Sequence, residues 1–411
     1  MTSASSIARP SADVTAWVRS AARPVVDTEP DYVGKDLDEL VETLGSATIV
    51  GLGESTRFSR QTYGVRERLF RALVGRHGFR GLAIQDSARS GERIDEYVRT
   101  GAGDPESALA GAWRPLRTAE MVDTLARIRL FNQQHPDDPI RVLGVEPPRA
   151  EPSDYDAVLD YLRQAAPDRL ARAETHLNPI RTAHRIDEHV QRHQGIHPGR
   201  PFAEHARDAL ALLDELPDTA EHRRARAHAR LIADFHEQSV AGQGGFARDE
   251  RPSAERVIEW QRATGVKIAF WDGIAHVSAQ ALGVGSAAGE FRGTGSHLRD
   301  HFGTDYVTVA IGFHHGDLGM AEAPRPRPEL VDAVLGEVDL PAFFVDLRTA
   351  ATESVDTWRR APAELRTISG IYDPSKDAEA HMGVPSLTGA FDILVHIRET
   401  SPVHWLPAPS E

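Results

Sequence analysis

Seven short apolar runs, none with a clear polar face, constrain this chain more than any other feature. They are residues 47–54 (ATIVGLGE), 81–87 (GLAIQDS), 141–146 (RVLGVE), 267–273 (KIAFWDG), 306–316 (YVTVAIGFHHG), 342–348 (AFFVDLR) and 390–397 (AFDILVHI). A strand with one face in water alternates apolar and polar residues. A strand apolar on both faces has to be covered on both, as in a sheet buried between helices. Helical patterns separate the runs. Phe58, Val65, Leu69 and Leu73 recur at helical spacing and stop at Gly78, a C-cap candidate. Met121, Leu125 and Ile128 repeat the signal, which ends before a turn at 135–139 (HPDDP). Strands alternating with helices imply an α/β fold with a central, mostly parallel sheet flanked by helices.

Residues 153–259 read differently. They lack a strand-like run and carry Leu, Ala, Arg and Glu at helical spacing, interrupted at 193–201 (HQGIHPGRP). The expected organisation is a first part of the core at 1–152, a helical insertion of two to four helices at 153–259, and a second part of the core at 260–411. The insertion is expected to cover the carboxyl ends of the strands. A chain of 411 residues is long enough for such a core.

Composition narrows the chemistry. The chain has no Cys, which removes disulfides, thiolate nucleophiles and Cys-ligated metals and fits a reducing compartment. A net charge of -14 and a pI near 5.8 argue against nucleic acid as a partner, since such proteins present a basic face. The first residues hold no long apolar run, so neither a secretory signal nor a membrane span is expected, and the expected location is the cytoplasm. Arg far outnumbers Lys, a codon signature of a GC-rich bacterial genome. No motif asks for a cofactor, and the sequence sets no oligomeric state, a monomer being compatible with it.

In parallel α/β folds ligands lie at the carboxyl ends of the strands. Those ends are rich in polar residues here: Glu54, Ser55, Thr56 and Arg57; Gln85, Asp86 and Ser87; Glu146; Asp272 with His276 a turn later; His314 and His315; Asp346 and Arg348. Each has a plain structural reading as well. Glu54 stands near the start of a helix, where an anion is favourable. Asp86 and Ser87 are common cap residues. His276 lies among small residues, as a buried, hydrogen-bonded His would. His314 and His315 resemble a metal pair, but neighbours on a strand point to opposite faces, so no metal is expected. GLGEST at 51–56 is neither GxxxxGK[ST] nor GxGxxG, and no G-x-S-x-G elbow surrounds Ser55 or Thr56. The HxxxH spacing at His189 and His193 lacks the Glu of a zinc-protease motif.

GLGEST, followed by the helix RERLFRALVGRHGFRGLAI, resembles the erythromycin esterase family. The likeness continues through GERIDEYVRTGAGDP, WRPLRTAEM, FNQQHPDDPIRVLGVE, ARDERPSAERVIEWQ, FWDGIAHV, GSHLRDHFGTDYVTVAIGFHHGD, YDPSKDAEAHM and FDILVHIRETSPV. It spans about three quarters of the chain, the helical middle matching least. The resemblance implies a central sheet with flanking helices and a helical cap, and metal-independent hydrolysis of a macrolide lactone. In the family a His after the first strand activates water beside a Glu, a second Glu ends the second strand, and an HN-x-HV segment adds further His. Here Glu54 matches, Arg57 stands at the water-activating His, Gln85 replaces the second Glu, and Gly273-Ile274-Ala275-His276-Val277 keeps one His. Arg248 matches a family Arg.

Arg stays protonated, with a pKa above about 12, so Arg57 cannot act as a general base. Gln85 cannot ionise. The catalytic candidates are therefore Glu54, His276, Asp86 and Asp272. The candidates for substrate binding are Arg57, Gln85, Ser55, Ser87, Glu146, Arg248, Trp271, His314 and His315. The expected function is a tailoring enzyme of secondary metabolism acting by acid/base chemistry on a polyketide-like or other bulky natural product, without adding water. The alternatives are a hydrolase with relocated water activation and an inactive binding or resistance protein.

Overall fold

The computed structural model describes residues 11–184, 188, 191, 199–214, 216–238, 249–283, 290–368, 370 and 372–407. The chain divides into two units, residues 1–146 with 248–411, and residues 147–247. Among the described residues the first unit holds thirteen strands: β1 (Arg23–Pro24), β2 (Ile49–Glu54), β3 (Phe79–Ser87), β4 (Arg141–Glu146), β5 (Lys267–Gly273), β6 (Leu282–Gly283), β7 (Glu290–Phe291), β8 (Tyr306–Asp317), β9 (Glu322–Ala323), β10 (Ala342–Asp346), β11 (Ala363–Arg366), β12 (His381–Val384) and β13 (Ile393–Thr400).

The large sheet runs β1-β10-β13-β8-β2-β5-β3-β4, with β9 beside β8. From β13 to β4 every pairing is parallel, which is the sheet that the two-faced apolar runs require. A small antiparallel sheet runs β11-β12-β6-β7.

Two sequence expectations need correcting. β10 pairs antiparallel with β13, Asp346 lying opposite Ile393 at the start of that strand. Its carboxyl end therefore points away from the ends of the parallel strands. Asp346 and Arg348 bond to each other there, with Arg348 Nη2 donating to Asp346 Oδ2 at 2.7 Å. The last run also begins later than its apolar residues suggest. Leu387–Ala390 is a short helix, capped where Ser386 Oγ accepts from Gly389 N at 3.0 Å.

Helices cover both faces. On one, Val50, Leu52, Trp271 and Val309 join Val65, Leu69, Phe70 and Leu73 of the Arg60–His77 helix. On the other, Ile49, Phe270 and Tyr306 join Ile274, Val277 and Leu298. Each such side chain contributes about 1.5–3 kcal/mol on burial. The Arg60–His77 helix starts where Ser59 Oγ accepts from Thr62 N at 3.1 Å and stops at Gly78, whose φ of 71° is left-handed. The glycines of GLGE serve packing. A Cβ on Gly53 would stand 2.9 Å from Ile274 Cα, so only glycine lets the Ile274–Val277 turn lie directly on β2.

The second unit is helical in its described residues: Pro152–Ala165, Pro167–Ile180, Phe202–Asp214 and Ala220–Gln238. Leu162, Leu177, Leu213 and Ile232 form its core. A polar group is buried among them, with the Tyr155 hydroxyl hydrogen-bonded to His236 Nε2 at 2.8 Å and to His184 Nε2 at 3.0 Å. No helix among the described residues is long and apolar enough to cross a membrane.

Candidate active site

β2 and β5 are neighbours in parallel register, Gly53 opposite Asp272 and Glu54 opposite Gly273. The polar residues that end the two strands therefore meet. Glu54, 8% exposed, is held by two cations. Arg66 Nη1, from the Arg60–His77 helix, donates to Glu54 Oε2 at 2.5 Å, and Arg57 Nε lies 3.7 Å from Oε1. Arg66 Nη2 also donates to the carbonyls of Leu52, at 2.7 Å, and of Asp272. Arg66 thus ties β2 to β5 at their ends, and Glu54 is occupied by ion pairing.

Arg57 is also nearly buried, at 7% exposure. Its guanidinium carbon lies 4.1 Å from the Trp113 ring centroid. Its Nη2 reaches Gln85 Oε1 only at 3.5 Å, and its Nε has no hydrogen-bond partner among the described residues. Burial lowers its pKa, opposed by the nearby Glu54 and Asp272. The sequence left open whether Arg57 faces the cleft or pairs with Glu54. It lies beside Glu54 and packs on Trp113.

Asp272 and His276 form the second half of the site. Asp272 is buried, with Oδ1 accepting from Gly273 N at 2.7 Å. Burial pushes its carboxyl up to about 7, against the pull of His276 and Arg57, while the Glu250 carboxylate adds to the rise. His276 Nδ1 donates to Glu250 Oε1 at 2.6 Å. Burial alone would lower the imidazole. Asp272 and Glu250 outweigh it and raise His276 to about 9. Glu250 is burdened by burial, but His276 and two bonds from Thr294, from N at 3.0 Å and from Oγ1 at 3.1 Å, hold it below the usual carboxylate range. Phe291 meets the imidazole edge-on at 5.6 Å. The position a Cβ would take on Gly273 is 3.2 Å from His276 Cδ2 and 3.6 Å from Arg57 Nη2, so both cations flank one point.

The other candidates are placed as follows. Asp86 accepts from Ser87 N at 2.7 Å, Ser90 Oγ at 2.8 Å and Trp113 N at 2.9 Å, anchoring the Trp113 loop to the Ala88–Thr100 helix. Ser87 is the N-cap of that helix, its Oγ accepting from Ser90 N at 3.2 Å. Glu146 ends β4 opposite Ser87. Trp271 is core, edge-on to Phe70 at 6.0 Å and beneath Arg66 at 5.7 Å. Ser55 lines a separate cavity of about 10 Å³ with Asp332 and Arg366. His314 and His315 do not split between the sheet faces as strict alternation suggests. Their Nδ1 atoms are 2.9 Å apart, and His314 lies 6.1 Å from His396. Arg248, His189 and His193 lie outside the described residues. Among the described residues no group of three or more His, Asp or Glu could hold a metal.

Sequence reasoning missed Arg66, Glu250, Trp113 and Thr294. Arg66 sits in an ordinary amphipathic helix pattern. Glu250 precedes Arg251-Pro252, a good helix start, but nothing local pairs it with a His 26 residues on.

A family model described as erythromycin esterase matches residues 74–400. No curated protein matches the chain. Three solved structures are similar in fold. A succinoglycan biosynthesis protein is 22% identical with a TM-score of 0.65, covering 95% of this chain and 97% of its own. A Bacillus cereus protein is 23% identical with a TM-score of 0.65, covering 96% and 98%. A mutant of erythromycin esterase EreC in its open conformation is 16% identical with a TM-score of 0.58, covering 95% and 100%.

Proposed function

The chain belongs to the erythromycin esterase family, and on that premise we propose an enzyme that works by acid/base catalysis between Asp272 and His276. The observation that carries the reading is the pair itself. A buried carboxyl raised to about 7 at the end of β5 and an imidazole raised to about 9 in the turn that follows act on each other's charge, and His276 is held by its 2.6 Å bond to Glu250. Between those values the carboxylate accepts a proton and the imidazolium donates one. Glu250 positions His276 through Nδ1 and keeps it charged. Arg57 supplies a fixed positive charge beside the pair.

The reaction class follows from position 57. In the family resemblance that site carries the water-activating His. A guanidinium packed on Trp113 cannot take a proton from water. The reading favoured is tailoring of a polyketide-like or other bulky natural product by ring closure, elimination or rearrangement. A second reading, hydrolysis with water activated by Asp272, draws on that residue's raised pKa.

The test is mass spectrometry of the purified protein with natural-product extracts in heavy-oxygen water. An unlabelled isomer or dehydrated product is expected. Label in the product would replace tailoring by hydrolysis. Tight binding without conversion at high protein concentration would identify a binding protein instead.

A further inference from the structure

We infer that Arg57 is a carboxylate receptor, so that the substrate carries a carboxylate next to the group that reacts. This rests on the reading of the Asp272–His276 pair as the reaction centre. A buried charge is stable only when paired and hydrogen-bonded. Among the described residues Glu54 is the carboxylate ion-paired with Arg57, but its short bond goes to Arg66, at 2.5 Å, and it stands 3.7 Å from Arg57 Nε. Among the described residues, the one side-chain bond that Arg57 makes is long, to a neutral amide at 3.5 Å, and its Nε has none. The guanidinium is therefore buried, oriented and short of acceptors.

The surroundings choose among anions. Trp113 covers one face of the guanidinium and fixes its plane, and Trp113 is itself anchored by its N–H to Asp86. A fixed guanidinium plane matches a planar, two-oxygen carboxylate. The protonated His276 flanks the same point above Gly273. Glu54, Glu250 and Asp272 stand close by, and they repel a dianion such as phosphate about twice as strongly as a monoanion.

The experiment is calorimetric titration of the full chain with acetate and benzoate, and with acetamide and benzamide as neutral counterparts of the same shape. Both carboxylates are expected to bind about tenfold or more tighter than their amides. Arg57→Gln should remove the preference, and Trp113→Leu should weaken carboxylate binding while leaving the amides unchanged. If Arg57→Gln does not fold, Arg57→Lys, which keeps the charge without the fork, should bind carboxylates more weakly than the native chain. Equal binding of acid and amide, no detectable carboxylate binding, or a preference that survives Arg57→Gln would overturn the inference. The two readings fail separately. Arg57-dependent binding with turnover that survives Asp272→Asn and His276→Gln sinks only the acid/base assignment. Turnover that needs both residues, with no carboxylate preference, sinks only the receptor.

Discussion

At the scale of single residues, Arg57, which stands where the family resemblance implies a water-activating His, sets the roles proposed for its neighbours. With Arg at 57, Glu54 has two cations to balance and is drawn into ion pairs. In the proposed reaction, proton transfer falls to Asp272 and His276. Removing a positioned acid or base costs about 10²–10⁴-fold, so Asp272→Asn and His276→Gln should each lower kcat by that order. Equal turnover in both variants would remove them from the mechanism. The rate should follow a bell in pH, rising through about 7 as Asp272 ionises and falling through about 9 as His276 loses its proton. Glu250→Gln removes a carboxylate that favours the imidazolium, so the alkaline limb should move to lower pH while the acidic limb stays above the ordinary Asp range. An unmoved alkaline limb would show that Glu250 does not act through His276.

At the scale of elements, the site depends on how closely helices and strands approach. Gly91, in the Ala88–Thr100 helix, faces Gly144 of β4, and a Cβ there would lie 2.7 Å from Gly144 Cα. Backbone touches backbone at this crossing, and the same helix start carries Ser87, Ser90 and the Asp86 anchor of Trp113. Gly91→Ala should therefore destabilise by about 1–3 kcal/mol through overpacking, read from denaturant unfolding, and should also disturb Trp113 fluorescence. A stability change under about 0.5 kcal/mol, typical of an open surface site, would mean that the helix can shift freely. β10 teaches the reverse lesson. Its run looks like the others, yet it lies antiparallel, which carries Asp346 and Arg348 away from the site.

At the scale of the whole molecule, buried titratable groups set the pH range of stability. Burial lowers His396 to about 3 and, with a neighbouring imidazole in each case, His314 and His184 to about 4. Below about 6.5 the unfolded chain binds protons that these folded histidines refuse, so stability falls as the pH drops from there toward 4. Asp272 at about 7 and Asp332, raised by burial to about 6, act in the opposite sense, because they are protonated when folded over a range where the unfolded acids are not. His276 contributes stability that is full below about 6.5 and is lost as the pH rises through about 9. The midpoint of thermal unfolding should therefore peak near neutrality and decline on both sides. His396→Phe should flatten the acidic decline, since His396 is buried and neither ring nitrogen is hydrogen-bonded among the described residues. An unchanged acidic slope in that variant would place the sensitivity elsewhere.

Local pattern determined much of this protein. Two-faced apolar runs specified the parallel sheet, because hydrophobic periodicity is a property of consecutive residues. Gly78 marked the end of a helix for the same local reason. The strand ends pointed to Glu54, Asp272 and His276, because a parallel sheet brings all its carboxyl ends to one edge. Only the tertiary structure decided what those residues touch. Arg66 meets Glu54 across 12 residues, His276 meets Glu250 across 26, and Trp113 covers Arg57 from another loop. The charge state of Asp272 and His276 likewise depends on burial and on neighbours far away in sequence. Such pairings are set by how strands and helices stack in space, and no spacing along the chain records them.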